Sequence, residues 1–400
     1  MSKRKKEIKD LRLRGGVLLF ALVFTILGAR LCAYTPNETD SMEFFSVKIT
    51  AIGESQMEEG PIGPSGEVVS NQATIFRAAF TSGAEKGQEI TAVQFIDDLT
   101  PIQPRSLKVG DTVLVAQNAG AVEGADEWMY IDHKRSHYLI WLVALFLFLV
   151  VLIGRKKGLS TIFALLSTAA AIFMIYIPSI LRGFDIYLMT SLISIYIIVV
   201  SLLLINAYDS KTLSAILGNI GGVAAAGGLA LLMNRLLHVT GFVDEDYMLL
   251  LHLNKETPLD LQAVVWGAIV IGALGAIMDI AMTIASAMYE VAEHMPQRSF
   301  KKLFRSGMNV GVDSIGTMTN TLILAYVGSS LTMVLLMAAY HKDMLFLFNM
   351  EMIVVEVTTA IVGSLGILFA VPATAFISAY LYTRPSEWRG ILRSDQENPQ

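Results

Sequence analysis

Charge and cysteine are both scarce in this sequence of 400 residues. Charged residues make up 16% of it and hydrophobic residues 54%, with a mean hydropathy of +0.56. Soluble domains carry about 25% charged residues, so the composition excludes an ordinary soluble protein and indicates a polytopic membrane protein. The single cysteine, Cys32, excludes an intramolecular disulfide. Any part outside the membrane must therefore be held together by its own core.

The sequence also lacks the motifs of common enzymes and cofactor sites. It has no phosphate-binding glycine loop and no nucleophile triad, and His238 and His252 flank a loop without the spacing of metal ligands. We therefore expect no cofactor and no enzymatic activity, and the sequence leaves a metal requirement open. An intramembrane aspartyl protease built on Asp209 and Asp279 would need two aspartates that share a proton. Asp209 lies at the predicted membrane edge and the second aspartate has no Gly-x-Gly approach, which argues against this class.

Long hydrophobic runs dominate what is present. Eight of them are long enough to cross a hydrocarbon core of about 30 Å. They are residues 15–33, 138–154, 159–181, 184–206, 212–237, 261–290, 313–339 and 350–382. The first run is longer than a signal-peptide core and no A-x-A site follows it, so it predicts an uncleaved transmembrane anchor. The other seven predict a seven-helix membrane domain over 138–382.

The short loops predict an orientation, because lysine and arginine collect on the cytoplasmic side of a membrane. In an eight-span arrangement the basic segments fall on one side. These segments are the tail 1–14, Arg155 to Lys157, Arg298 to Arg305, and the tail 383–400. The acidic loop Asp244 to Asp246 and segment 34–137 fall on the other. We expect a bacterial plasma-membrane protein with both termini cytoplasmic and 34–137 extracytoplasmic.

Segment 34–137 is the only part large enough to form a domain outside the membrane. Phe45, Val47 and Ile49 alternate with polar residues, as do Phe76 and Phe80, which is the period of half-buried strands. This pattern predicts a small β-barrel, and its acidic balance argues against nucleic acid as a partner. The predicted fold class is an α-helical polytopic membrane protein of about eight transmembrane helices with a small β-rich extracytoplasmic domain. That domain is the candidate docking site for a protein partner.

Polar residues at helical spacing mark the candidate site inside the membrane domain. Asp279, Thr283, Ser286 and Glu290 fall within a sector of about 60° on one helix. The next two runs carry Asp313, Thr317, Asn320, Asn349 and Glu356, with Asn349 predicted on the same face as Glu356. The primary candidates for a cation or proton site are Asp279, Asn320, Glu356, Thr283, Ser286 and Thr317, and the secondary ones are Glu290, Asp313 and Asn349.

Two interpretations of these residues stay open. A carboxylate in hydrocarbon costs roughly 3 kcal/mol or more, so such residues face protein or water and often mark an ion or proton path. The same groups can instead lock helices together through hydrogen bonds, at under about 2 kcal/mol each. The first interpretation predicts a transporter or permease-like component that contacts lipid and a small solute or cation. The second predicts an envelope scaffold that docks other proteins.

Two further patterns concern packing. Gly218 and Gly222 form a small-xxx-small pair, which predicts close helix contact, with local unwinding around a ligand as the alternative. Between the sixth and seventh runs, Phe300, Leu303 and Phe304 lie opposite a basic face. That amphipathic pattern predicts a helix lying in the inner headgroup layer.

Several longer motifs give a resemblance to a known family. They are Gly275 to Asp279 with Glu290, Gly316 to Leu322 with Ala325 to Gly328, and Gly363 to Gly366 followed by Val371-Pro372. With these motifs the chain resembles the YibE/F-like multipass membrane proteins of bacteria, over roughly 140–380. The resemblance implies an integral membrane fold, and the family brings no established activity, substrate or cofactor.

Overall fold

The structure is a computed structural model in which two compact units can be distinguished. It describes residues 3–34, 43–62, 68–83, 85–97, 106–117, 128–206, 208–243, 247, 250, 259–340 and 343–383. One unit comprises Met1–Tyr34 with Val150–Gln400, and the other comprises Thr35–Leu149. The predicted acidic loop 244–246, His252 and the tail residues 384–400 lie outside the described residues.

The predicted β-rich domain is a closed five-stranded barrel. Its strands are β1 (Phe44–Ile62), β2 (Val68–Phe80), β3 (Glu89–Asp97), β4 (Thr112–Gln117) and β5 (Trp128–His133). They run in the order β1-β2-β3-β5-β4, and β3 pairs with β5 in parallel while the other pairs are antiparallel. This is the topology of the OB-fold. Val47, Ile49, Phe76 and Phe80 point into the core as the alternation predicted, so the barrel prediction is confirmed.

A polar network fastens the end of β5 to the barrel. The Lys134 Nζ donates to Ser46 Oγ at 3.0 Å, and the Lys134 backbone N–H donates to the Thr112 carbonyl. Asp132 accepts from the backbone N–H of His133 at 2.7 Å and from the Arg135 guanidinium at 2.6 and 2.8 Å. These donors hold the pKa of Asp132 below its ordinary value, and the His133 N–H contributes most.

The remaining elements are helical. They are α1 (Lys3–Cys32), α2 (Ser136–Ala171), a π-helical turn (Ile172–Tyr176), α3 (Ile177–Leu181), α4 (Ile186–Ile205), α5 (Ser210–Leu236), α6 (Leu261–His294), α7 (Phe300–Ser329), α8 (Leu331–Tyr340), α9 (Met344–Asn349) and α10 (Glu351–Thr383). Asp185, Asp209 and Asp260 cap α4, α5 and α6 by accepting backbone N–H bonds from the first turn. Aspartate at these positions therefore sets where three long helices begin.

Six helical stretches among the described residues are long and apolar enough to cross a membrane. They are Arg12–Cys32, Ser136–Leu181, Ile186–Ile205, Ser210–Leu236, Leu261–His294 and Glu351–Thr383. The second is interrupted at Arg155, whose φ of 49° and ψ of −125° are not helical. The predicted spans 138–154 and 159–181 lie on either side of that break. The total of eight spans stays a prediction.

The predicted span 313–339 is divided between two helices in the structure. α7 already begins at Phe300 and ends at Ser329, and α8 continues after it. Leu303 is fully buried and Phe300 packs edge-on against Phe376 of α10 at 5.5 Å between ring centroids. The prediction of a separate helix is therefore wrong, because residues 300–308 are the first part of α7. Leu303 packs into the hydrophobic core while Phe300 stays 37% exposed, and the position in the headgroup layer stays a prediction.

Close packing of α5, α6 and α10 forms the centre of the helical unit. Gly218 meets Thr374, and Gly222 meets Ala370 together with Ile277 of α6. A side chain on either glycine would collide with these neighbours, so the glycines permit the close approach of the helices. The packing interpretation of Gly218 and Gly222 is confirmed, because α5 is helical throughout both positions.

Candidate functional site

The four polar residues predicted on one face of α6 do share that face. Asp279, Thr283 and Glu290 are exposed and Ser286 is partly exposed, meaning that the rest of the described chain does not cover them. The opposite face carries side chains of 0% exposure, which are Ile277, Ile280 and Ile284 among others. The helical unit therefore buries the apolar face of α6 and leaves its polar face on the outside.

The candidates on α7 and α10 are also exposed or partly exposed, but the prediction for Asn349 is wrong. Asp313, Thr317 and Asn320 are exposed on α7, and Glu356 is partly exposed on α10. Asn349 is the last residue of α9, and Met350, with a ψ of 127°, separates it from α10. The prediction that Asn349 shares a helix face with Glu356 is therefore wrong. Because α10 begins only at Glu351, the helical period does not extend back to Asn349.

The hydroxyl and amide groups near the carboxylates bond mainly within their own helices. Thr283 Oγ1 donates to the Asp279 carbonyl at 2.8 Å and Thr317 Oγ1 to the Ser314 carbonyl at 3.0 Å. Asn349 Nδ2 donates to the Leu345 carbonyl at 2.7 Å. Such bonds satisfy the donors locally and do not join one helix to the next.

Asp279 and Glu356 lack the partners that a helix lock requires. Within the described residues neither carboxylate accepts a hydrogen bond or forms a salt bridge, and no group of three or more His, Cys, Asp or Glu is placed to hold a metal ion. The two carboxylates are thus positioned in apolar helices without compensation from neighbouring side chains.

Tyr326 marks the place where α6, α7 and α10 meet. Its hydroxyl lies against Gly272 of α6, where an added Cβ would be 2.5 Å away, and its ring lies beside Gly363 of α10. The Tyr326 hydroxyl is buried without a hydrogen-bond partner in the described part of the chain, and Glu356 acts on it electrostatically. Tyr326 therefore connects the face of α6 that carries Asp279 with the face of α10 that carries Glu356.

The register of α6 and α7 aligns two further groups. The helices are antiparallel, since Gly307 meets Met288 and Gly311 meets Ile284. Asp279 follows Gly272 by seven residues and Thr319 precedes Tyr326 by seven, so both return to the same faces. Because Gly272 meets Tyr326, Asp279 and Thr319 lie at about the same depth. The buried Thr319 Oγ1 has no hydrogen-bond partner among the described residues.

Three residues that the sequence patterns did not select hold notable positions in the structure. Thr319 and Tyr326 were overlooked, although their seven-residue spacing repeats the spacing of Gly272 and Asp279. Glu351 was not among the candidates, yet its carboxylate accepts hydrogen bonds from Thr240 N at 2.7 Å, Thr240 Oγ1 at 2.8 Å and Gly241 N at 2.6 Å. It fastens the start of α10 to the loop after α5, a contact between positions 110 residues apart that no local pattern reveals.

Comparison with known proteins supports the sequence motifs. Residues 142–384 match the YibE/F-like protein family. The matched range is more than half of the chain and includes every helix from α4 to α10. No curated protein and no solved structure matches the chain.

Proposed function

The chain belongs to the YibE/F-like family, and from the geometry of α6, α7 and α10 we propose that it is a membrane transport component. In this proposal Asp279 and Glu356 bind a cation or a proton that is coupled to movement of a small solute. Ionisable residues within transmembrane helices commonly form such paths, because hydrocarbon disfavours them elsewhere.

The observation that carries the proposal is the lack of partners at Asp279 and Glu356. A helix lock would give these carboxylates hydrogen bonds from neighbouring helices, and the described residues provide none. An unpaired carboxylate in hydrocarbon costs roughly 3 kcal/mol, so it needs water, a proton or a cation. A transport role explains why the chain retains two groups of this kind.

The groups around Tyr326 supply a route between the two carboxylates. Asp279 and Thr319 lie at one level, and Tyr326 lies seven residues further along α7, about 10 Å at 1.5 Å per residue. Glu356 precedes Gly363 by seven residues, so it lies on the face of α10 that Tyr326 contacts. In the proposed mechanism the ion is held by Asp279 with Thr317 and Asn320 close by, passes Tyr326 and reaches Glu356. Thr283, Ser286, Glu290 and Asp313 line the approach at the opposite end.

For the topology we propose a bacterial plasma-membrane protein with both termini in the cytoplasm and the barrel outside. Thiol labelling tests this orientation after Cys32→Ser, with single cysteines introduced by Lys86→Cys in the barrel and Lys156→Cys beside the break in α2. An impermeant reagent applied to intact cells is expected to label only the first. Labelling of the second alone, or of both, would contradict the orientation.

The decisive experiment uses the full chain in proteoliposomes. Fluxes of H⁺, Na⁺, K⁺ and Mg²⁺ are measured separately under an imposed gradient, with a pH-sensitive dye or an isotope as the probe. We expect the wild type to move one of these ions and Asp279→Asn to abolish that flux, because the amide keeps the size but loses the charge. Asp343→Asn is the matched control: asparagine caps a helix as well as aspartate, so flux should persist.

A non-transporting scaffold is the second candidate function, favoured by the closed barrel, whose OB-fold topology serves binding in other proteins. The same experiment separates the two. A folded Asp279→Asn protein with wild-type flux, or a wild type that moves none of the four ions, would refute the ion-site proposal. The scaffold proposal would then be tested by removing the barrel and measuring partner binding.

A further inference from the structure

A second polar feature lies inside the bundle, between α5 and α10. We call it the buried seam and define it as Ser214, Asn219, Thr374, Ser378 and Tyr382. The first four are 0% exposed and Tyr382 is 4% exposed. The helices run antiparallel here, because Gly218 meets Thr374 and Gly222 meets Ala370. The seam therefore extends from the start of α5 and the end of α10 towards the middle of both helices.

In the outer part of the seam, Tyr382 and Ser214 form hydrogen bonds. Tyr382 Oη donates to the Ala285 carbonyl of α6 at 3.1 Å, and Ser214 and Ser378 lie beside the same hydroxyl. Ser214 Oγ also donates to the Ser210 carbonyl at 2.8 Å. This end of the seam thus presents hydroxyl groups of two helices, α5 and α10, close to a backbone carbonyl of α6.

The inner part is different. Both amide atoms of Asn219 and the hydroxyl of Thr374 are buried without a hydrogen-bond partner in the described part of the chain. Other helical threonines, such as Thr359 and Thr383, donate to the carbonyl one turn earlier. Thr374 does not, and its hydroxyl is directed at Gly218 of α5. In the seam, Asn219, Thr374 and Ser378 are thus the positions whose side-chain polar atoms have no hydrogen-bond partner among the described residues.

The chemistry of Asn219 restricts what can bind there. Its side chain offers two N–H donors and a carbonyl acceptor, and burying them unpaired is costly. A metal cation would satisfy the carbonyl and leave both donors unpaired. Water both donates and accepts, and buried water commonly pairs groups of this kind. We propose that the buried seam binds water as far as Asn219 and Thr374.

The spacing of the seam makes this a continuous path. Thr374, Ser378 and Tyr382 are separated by four residues each, so they stack on one face of α10. Asn219 lies nine residues inside α5, about 14 Å from its start, which is near half of a 30 Å hydrocarbon core. The path therefore leads from the membrane end shared by Ser210 and Thr383 to mid-depth. It stands whether or not Asp279 binds an ion.

The test uses water itself as the probe, in the full chain embedded in nanodiscs. After Cys32→Ser, the variant Thr374→Cys carries a single thiol whose S–H stretch can be followed by infrared spectroscopy on transfer to D₂O. The matched control is Val371→Cys, one turn away on α10, also 0% exposed and within the apolar core. We expect S–H to S–D exchange at position 374 to be at least about tenfold faster than at position 371.

A second variant tests the role of Asn219. Adding Asn219→Leu to the Thr374→Cys protein removes the proposed water ligand, and the exchange rate at position 374 should fall towards that at position 371. Equal exchange at 374 and 371 in the parent proteins would overturn the proposal, whether both are fast or both are slow. Fast exchange at 374 that Asn219→Leu leaves unchanged would overturn the assignment of Asn219. Melting curves establish that each variant is folded.

Discussion

Two sets of polar residues run along the membrane helices. One lies on the outside of the helix bundle and the other is enclosed within it. The line on α6 and α7 contains carboxylates, such as Asp279 and Asp313, and lies outside the helix contacts. The seam on α5 and α10 contains only hydroxyl and amide groups and is fully buried. Enclosing an unpaired neutral group costs a few kcal/mol, which one bound water can offset, whereas enclosing an unpaired carboxylate costs far more. The contrast teaches that charge, more than polarity, decides which groups the core accepts.

The glycines follow the same division. Added Cβ atoms at Gly218 and Gly222 would meet the α10 backbone and Ile277, whereas one at Gly275 or Gly316 would meet nothing within 4 Å. The first pair allows α5 and α10 to touch. The second pair leaves the acidic line open, which gives room for water, an ion or another protein beside Asp279.

The largest expected effect is on stability, and it comes from replacing glycine by alanine once in the buried packing and once beside the exposed acidic residues. Gly222→Ala places a Cβ 2.7 Å from the Ala370 Cβ and 2.8 Å from Ile277 Cγ2, so the helices must separate. We expect a loss of about 1–3 kcal/mol in stability. Gly275→Ala meets open space and should gain up to about 1 kcal/mol from helix propensity. Melting temperatures of the two purified variants test the difference. Equal effects would mean that α5 and α10 do not pack as described.

The next prediction compares the hydrogen-bonded carboxylate of Glu351 with the unpartnered carboxylate of Asp279. Glu351→Ala removes the three hydrogen bonds that this carboxylate accepts from Thr240 and Gly241. We expect the free energy of unfolding to fall by about 1–3 kcal/mol. Asp279→Asn removes no hydrogen bond found among the described residues and should leave the melting temperature nearly unchanged. If Asp279→Asn destabilised the protein as much as Glu351→Ala, the carboxylate of Asp279 would be a helix lock and the comparison would fail.

The smallest effect concerns a paired carboxylate outside the membrane helices. The pKa of Asp132 is lowered by the His133 N–H and by Arg135, so its stabilising contribution is complete above the unfolded value near 4. It is lost as the pH falls through the lower folded value. In segment 36–135 expressed alone, with a strand-type circular dichroism signal as the check of folding, Asp132→Asn should lower the melting temperature at pH 7. The difference in melting temperature between wild type and variant should disappear below about pH 4. A difference that grew in acid would contradict the lowered pKa of Asp132.

The sequence predicted the barrel and the polar face of α6 because each depends on a local period. Val47 and Ile49 alternate with polar neighbours, and Asp279, Thr283 and Glu290 recur at helical spacing, so their faces follow from the backbone geometry alone. The same reasoning failed at Asn349, since a helical period carries no information about where a helix is interrupted. It failed also at Phe300, because an amphipathic face does not reveal whether it belongs to a separate helix or to the start of a longer one.

The sequence by itself determined that this is a membrane protein of the YibE/F-like class with one small barrel and with carboxylates aligned on α6. Composition, hydropathy and periodicity are properties of neighbouring residues, and they suffice for those conclusions. Only the tertiary structure decided that the carboxylates lie outside the helix packing, that Tyr326 joins three helices, and that Asn219 and Thr374 are enclosed together. These facts depend on the register between helices far apart in the chain. That register is set by the close contacts at Gly218, Gly222 and their partners on α10, which no segment specifies alone.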